Sequence, residues 1–162
     1  MRLPDLGVAG LAVFLAAGHA SAGVDRVRVD KSERRMDLLD NGIVVRTYAI
    51  ALGGDPLGPK RREGDGRTPE GIYTLKGRNP HSAFHLSIRI SYPDEADRAA
   101  AAARGESPGG DIMIHGQPNG WGWWGWLTQR FDWTNGCIAV TDAEMDEIWT
   151  LVPDGTAIEI MP

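Results

Sequence analysis

Cys137 is the only cysteine of the chain, and it follows a glycine in the run Thr134-Asn135-Gly136-Cys137-Ile138. A thiol straight after a glycine, entering an apolar segment, belongs on a tight turn. Such a bend can aim two backbone N–H groups, those of Gly136 and Cys137, at one point. Paired donors of this kind stabilise the oxyanion of an acyl transfer, and losing one typically costs about a hundred-fold or more in rate. An ordinary thiol is only slightly ionised at neutral pH, so a nucleophilic cysteine needs a base. His115, followed by Gly116 and ending the apolar run Asp111-Ile112-Met113-Ile114-His115, can supply it from across the fold. The other ring nitrogen then needs an acceptor to fix the tautomer; no Asp or Asn stands out for this, and a backbone carbonyl near Gly116 fits. A lone cysteine also fits a small buried apolar side chain, and the count alone leaves both readings open. Zinc is not expected, because there is no second cysteine and no histidine near Cys137 at ligand spacing.

The elements that must position these residues read as mostly strands. The chain contains 21 glycines and 10 prolines, which favours many turns and short strands over a helical bundle. Val24 to Asp30 alternates apolar and polar residues, and Lys31-Ser32-Glu33 turns into Arg35 to Leu39. Asp40-Asn41-Gly42 is a hairpin signal, because Asn-Gly tolerates the positive φ of a type I′ turn. Ile43 to Leu52 returns as a strand, followed by a long loop, Gly53 to Gly71. Ile72 to Leu75, Phe84 to Ile90, Asp111 to His115 and Thr156 to Ile160 are further strands. Two helices are expected. Asp94 to Arg104 is acidic at its start and alanine-rich in the middle. The other begins at the capping box Thr141-Asp142-Ala143-Glu144 and repeats Met145, Ile148, Trp149 and Val152 at helical spacing. No internal repeat or second domain is evident.

The N-terminus has the anatomy of an export signal. Arg2 precedes an apolar stretch of 13 residues, Leu6 to Gly18, too short to span a bilayer comfortably. Ala20-Ser21-Ala22 then supplies a small-x-small cleavage pattern, giving a signal peptide over 1–22 and a mature domain over 23–162; the alternative is an uncleaved anchor or a buried apolar strand. The expected location is periplasmic or cell-wall associated, with no stable membrane span after processing. A net charge of −5 provides no basic stripe for nucleic acid.

His115-Gly116, then Thr134-Asn135-Gly136-Cys137-Ile138, resembles the catalytic motif of the L,D-transpeptidases (YkuD-type domains). A Gly-x-Thr-Pro-Glu-Gly segment at Gly66–Gly71 precedes them in the family's order, and the resemblance extends over most of residues 24–160. It implies a mainly β, β-sandwich-like catalytic domain that acts on peptidoglycan stem peptides, with no cofactor. Cys137 would be acylated at an L,D peptide bond, releasing a D-amino acid, and an amine would resolve the thioester. Two positions depart from the family, which often has a histidine before the Gly-Cys pair and an arginine two residues after it. Here they are Asn135 and Ala139.

Between His115 and Cys137 runs Gly120-Trp121-Gly122-Trp123-Trp124-Gly125-Trp126. Trp121, Trp123, Trp124 and Trp126 fit a sugar-stacking or substrate-covering wall, and equally a rigid packed flap. Arg67, in Arg67-Thr68-Pro69-Glu70, belongs to a plain turn or, following the resemblance, to a cleft rim. Two other functions use the same residues. One is a cysteine carboxypeptidase or amidase, in which water replaces the amine. The other is a wall-binding domain, in which the tryptophans grip glycan and Cys137 is incidental.

Overall fold

The computed structural model describes residues 23–162, so the expected signal peptide over 1–22 lies outside the described residues. Eight strands form one sheet: β1 Arg26–Asp30, β2 Arg35–Asp40, β3 Ile43–Ala49, β4 Gly71–Ser82, β5 His85–Ile90, β6 Met113–His115, β7 Ile138–Ala139 and β8 Ala157–Met161. Their spatial order is β3-β2-β1-β8-β4-β5-β6-β7. The hairpin β2–β3 turns at Asn41 and Gly42, both at positive φ, as the Asn-Gly pair requires. The C-terminal β8 lies parallel to β1 and antiparallel to the first half of β4. The second half of β4 pairs with β5, so this long strand belongs to both halves of the sheet.

The two edges of this sheet meet. Past β3, Ala51 forms an antiparallel bridge with Ala139 of β7, and Gly53 a parallel bridge with Thr134. The sheet therefore curls on itself, and its inner faces share one core. Val27, Val29, Leu38, Leu75, Ile88, Ile114, Ile138 and Ile158 are all fully or almost fully buried there. The helix α3, Asp142–Leu151, covers β5 and β6 with Met145 and Ile148 buried, and begins at the expected capping box on Thr141 and Glu144. The helix α1, Glu95–Ala103, is capped by Asp94 and buries only Ala101.

Two local expectations need correction. β4 runs on to Ser82, well past Leu75, although Lys76–Ser82 contains Gly77, Asn79 and Pro80. Register shifts between Lys76 and Arg78 and between Asn79 and Ser82 absorb the poor strand formers while pairing with β5 continues. There is also a third short helix, α2, Gly125–Thr128, led by a 3-10 turn over Gly122–Trp124. Tertiary contacts override its glycine content: the buried Gln117 accepts from Thr128 Oγ1 at 2.5 Å and donates to the Val140 carbonyl at 2.6 Å. Among the described residues no helix is long and apolar enough to cross a membrane.

The long loop between β3 and β4 is anchored by a buried lysine. Lys31, 2% exposed, donates to the Gly58 and Thr68 carbonyls at 2.7 and 3.2 Å and pairs with Glu70 at 2.8 Å. Removing the ammonium leaves a carboxylate and two carbonyls short of a donor. Breaking a buried pair from one side costs about 3–5 kcal/mol. Because Glu70 keeps some contact with solvent, Lys31→Met should destabilise the domain by about 3 kcal/mol in urea unfolding, with m unchanged. A loss below about 0.5 kcal/mol would show that the loop stays closed without it.

Candidate active site

Cys137 stands at the mouth of β7, on a turn held from three directions. Thr134 is buried; its Oγ1 accepts from the Gly136 N–H at 3.1 Å and donates to the Cys137 carbonyl at 2.7 Å. From the β3 side, Thr134 N–H donates to Leu52 O (3.1 Å), Gly54 N–H to Thr134 O (3.0 Å), and Ala51 and Ala139 exchange two bonds of 2.9 Å. Asp132 accepts from the Leu52 N–H at 3.0 Å and holds the Arg34 guanidinium, with its Nη2 at 2.6 Å. From the third side, the Gly66–Thr68 strip packs directly behind the turn. Gly136 has φ +119, and a Cβ on it would lie 2.5 Å from the Arg67 carbonyl oxygen. Glycine here thus meets a backbone requirement and a close approach together. The expected Gly136–Cys137 donor pair is corrected by the same geometry, because Thr134 already occupies the Gly136 N–H. Among the described residues the Cys137 N–H has no such partner.

His115 ends β6, which pairs parallel with β7 in the register Ile114↔Ile138 and His115↔Ala139. Continuing that register one residue back places Cys137 opposite Met113. Side chains alternate along a strand, so His115 and Cys137 emerge on the same face as diagonal neighbours. Such neighbours lie roughly 7–8 Å apart, within reach of long and aromatic side chains. The tautomer is fixed as the sequence suggested: His115 Nδ1 lies 2.7 Å from the Gly116 carbonyl oxygen. A carbonyl only accepts, so Nδ1 carries the proton and Nε2 keeps its lone pair. Gly116 can make that bond because its own N–H is held by the Phe84 and Leu86 carbonyls. A Cβ there would fall 2.6 Å from Asp142 Oδ1 and 2.9 Å from His85 Cβ.

His115 and Cys137 line one cavity of about 480 Å³, with Ser87, Ile112, Trp133 and Asn135 among the walls. Phe84 packs against the imidazole at 4.6 Å between ring centroids, and Trp133 meets it edge-on at 5.8 Å. Burial in this aromatic setting pushes His115 below its ordinary range, against the pull of the Gly116 carbonyl. Burial likewise pushes the Cys137 thiol up; the Met113 N–H opposes this, and the Asp111 carboxylate adds to it. The thiol points its weak donor at the Asp111 carbonyl, 3.5 Å away. Burial thus favours the uncharged thiol and imidazole over an ion pair.

Other expected site residues lie elsewhere. Trp121, Trp123 and Trp126 are 59%, 70% and 63% exposed, and neither they nor Trp124 line the cavity. Gln117 accepts from Thr128 Oγ1 at the end of this segment, and the Trp123 and Trp124 rings pack at a 43° tilt with centroids 4.5 Å apart. The aromatic wall is made instead by Trp133 and Phe84. Trp133 directly precedes Thr134 in the sequence, and that adjacency was the available signal. Arg67 does not reach the cavity either. Its side chain pairs with Asp55 at 3.0 Å, and only its carbonyl touches the cysteine turn. Asn135 is exposed at the cavity edge, whereas Ala139 is fully buried against Ala51. His85 bonds Asp146 at 2.7 Å on the outer surface. Among the described residues there is no cluster of side chains able to hold a metal ion.

The comparisons with known proteins agree with this architecture. The sequence model of the L,D-transpeptidase catalytic domain (YkuD) matches residues 24–160. The chain is 30% identical over 132 residues to the Escherichia coli (strain K12) protein named "Putative L,D-transpeptidase YafK", covering 78% of this chain and 46% of that protein. Bd1075 of Bdellovibrio bacteriovorus superimposes with a TM-score of 0.61 at 22% identity, over 89% of this chain and 50% of that one. The helical cell shape determining protein Pgp2 of Campylobacter jejuni gives 0.61 at 23%, over 88% and 51%. The chain thus spans about half the length of the relatives it matches, and the likeness to these structures is one of fold. With the match extending over nearly all of the described residues, the chain belongs to the L,D-transpeptidase catalytic domain family.

Proposed function

We propose that residues 23–162 form the catalytic domain of an exported cysteine acyltransferase that acts on peptidoglycan stem peptides, with Cys137 as nucleophile and His115 as proton acceptor and donor. The observation that carries this reading is the Nδ1–H bond from His115 to Gly116 O, which leaves Nε2 as the base in the cavity that the thiol lines. When a stem peptide displaces water from that cavity, Nε2 takes the thiol proton as sulfur attacks the carbonyl carbon of the L,D bond. The Cys137 N–H supports the oxyanion. The C–N bond then breaks, and the imidazolium returns its proton to the leaving amine. An acceptor amine attacks the thioester, His115 takes the amine proton and passes it to the departing sulfur, which restores the thiol and the neutral base. Pgp2, a protein of this fold, is described as determining helical cell shape, and wall remodelling of that kind suits the same chemistry here.

Hydrolysis is the second reading. Ala139 puts a buried methyl where family members often carry an arginine, and so offers no cation to hold an acceptor carboxylate. Water then competes with the amine, and trimmed peptides would outnumber cross-linked dimers among the muropeptide products.

An acylating carbapenem should trap the thioester. Intact mass should show one adduct on the wild type and none on Cys137→Ala, while Cys137→Ser should lose most activity, since a hydroxyl is far harder to deprotonate. His115→Ala should slow acylation about a hundred-fold or more without unfolding the domain. If the wild type under reducing conditions forms no adduct and leaves muropeptides intact, the wall-binding function is the one that stands.

The pH profile supplies a separate check. The base must be neutral to accept the thiol proton, so kcat/KM falls as pH drops through the His115 pKa. Because burial lowers that pKa, the acid limb should have its midpoint below the ordinary histidine value of about 6.5. A midpoint above 7 would overturn the lowering of the His115 pKa by burial.

A further inference from the structure

A second cavity, of about 490 Å³, adjoins the first, and Gly110 and Asp111 line both. Its walls carry three cations, Lys76, Arg89 and Arg98, against two carboxylates, Glu63 and Asp111. That positive balance is unusual for a chain of net charge −5. Lys76 and Arg89 are also direct cross-strand partners in the β4–β5 ladder, an arrangement in which like charges repel. The one carboxylate that relieves them is Asp111, 2.6 Å from Arg89 and itself 75% exposed. Lys76 and Arg98 pair with no carboxylate among the described residues. Asp111 is moreover one of few non-glycine residues at positive φ, +56. Strained backbone of this kind persists where the surroundings over-determine it, often at binding sites. Through that strained residue the cationic cavity is joined to the thiol, because the Asp111 carbonyl accepts from Cys137 Sγ.

We infer that the Lys76–Arg89–Arg98 cavity is a carboxylate-binding subsite that holds an acidic peptide with its scissile bond over Cys137. Repulsion between Lys76 and Arg89 is relieved when a second carboxylate enters. An anchor on one side of the Gly110–Asp111 partition leaves the peptide one way to cross into the thiol cavity, which fixes the bond presented to sulfur. This assignment rests on the function proposed above, but it concerns different residues and can fail independently of it.

The experiment measures binding without turnover on the full Cys137→Ala chain. The probes are a short synthetic peptide with a free carboxylate next to an L,D amide bond and the same peptide with that group as carboxamide. The acid should bind about ten-fold or more tightly, with a preference that shrinks as salt is raised. Adding Lys76→Gln and Arg98→Gln should bring the two peptides to parity. The same two exposed substitutions in the Cys137 protein should leave the rate of thiol alkylation by uncharged iodoacetamide unchanged, showing that the thiol and its base are intact. Equal affinity of acid and amide, or an acid preference that survives the double substitution, overturns the inference even if the carbapenem adduct forms. Glutarate competing at the peptide's own affinity would overturn it too, by making the site one for free dicarboxylates. An acid preference lost with Lys76 and Arg98 sustains the subsite even in a protein that no carbapenem acylates.

Discussion

The geometry of the site depends on the contact that closes the sheet, in which residues 51–54, past the end of β3, hydrogen-bond to residues 134–139 at the opposite edge. A two-residue strand such as β7 cannot hold a turn in place by itself. Here it is gripped by β6 on one side and by the β3 extension on the other, so the residues just before it inherit the rigidity of the whole sheet. The close packing of three backbones makes glycine unavoidable: a Cβ on Gly53 would lie 2.0 Å from the Gly66 carbonyl oxygen, and one on Gly136 2.5 Å from that of Arg67. Lys31 and Asp132 tie the remaining sides of this junction, one through the 58–70 loop and the other through Arg34 and Leu52. Cys137 is therefore held by backbone hydrogen bonds and by polar side chains that are themselves pinned by hydrogen bonds and ion pairs.

The same enclosure sets the electrostatics. A thiol and an imidazole placed among Phe84, Trp133 and Ile112 lose much of the water that would stabilise their charged forms, so one pKa rises and the other falls. In the proposed mechanism, separation of charge is then delayed until the substrate is in place. This suits a thiol expected to work in an oxidising compartment, because the thiol form is less prone than thiolate to stray oxidation and disulfide exchange. The cost is that the proton transfer must be driven by bound substrate, which places weight on how that substrate is anchored.

Much of the layout was legible in the sequence, for definite reasons. Strand alternation in Val24–Asp30, the Asn41-Gly42 hairpin and the Thr141–Glu144 capping box are local signals that tertiary structure did not override. The pairing of His115 with the Gly116 carbonyl was also foreseeable, because an immobilised imidazole needs an acceptor and none stood nearby in sequence. What could not be read were effects that exist only across space. Thr134 consuming the Gly136 N–H depends on the fold of the turn, and the exposure of Trp121, Trp123 and Trp126 depends on how their segment packs, which no local pattern gives. The strand character of Lys76–Ser82 likewise comes from its ladder with β5, against the local preferences of Gly77, Asn79 and Pro80.

That extension of β4 joins the two cavities into one surface. Were β4 to end at Leu75, Lys76 would have no partner strand and would not face Arg89. Pairing past the bulge sets the two cations side by side at the edge of the second cavity, while the opposite side of β5 pairs with the strand that carries His115. β5 thus lies between the cationic cluster and the proposed base, and Asp111 spans the same gap on the other side, its carboxylate on Arg89 and its carbonyl at the Cys137 thiol. A bound anion that draws Arg89 from Asp111 would release the one side chain that bridges the two cavities. Because the Asp111 carboxylate raises the thiol pKa and Arg89 offsets that carboxylate, the pair ties the charge of the cationic cluster to that of the thiol.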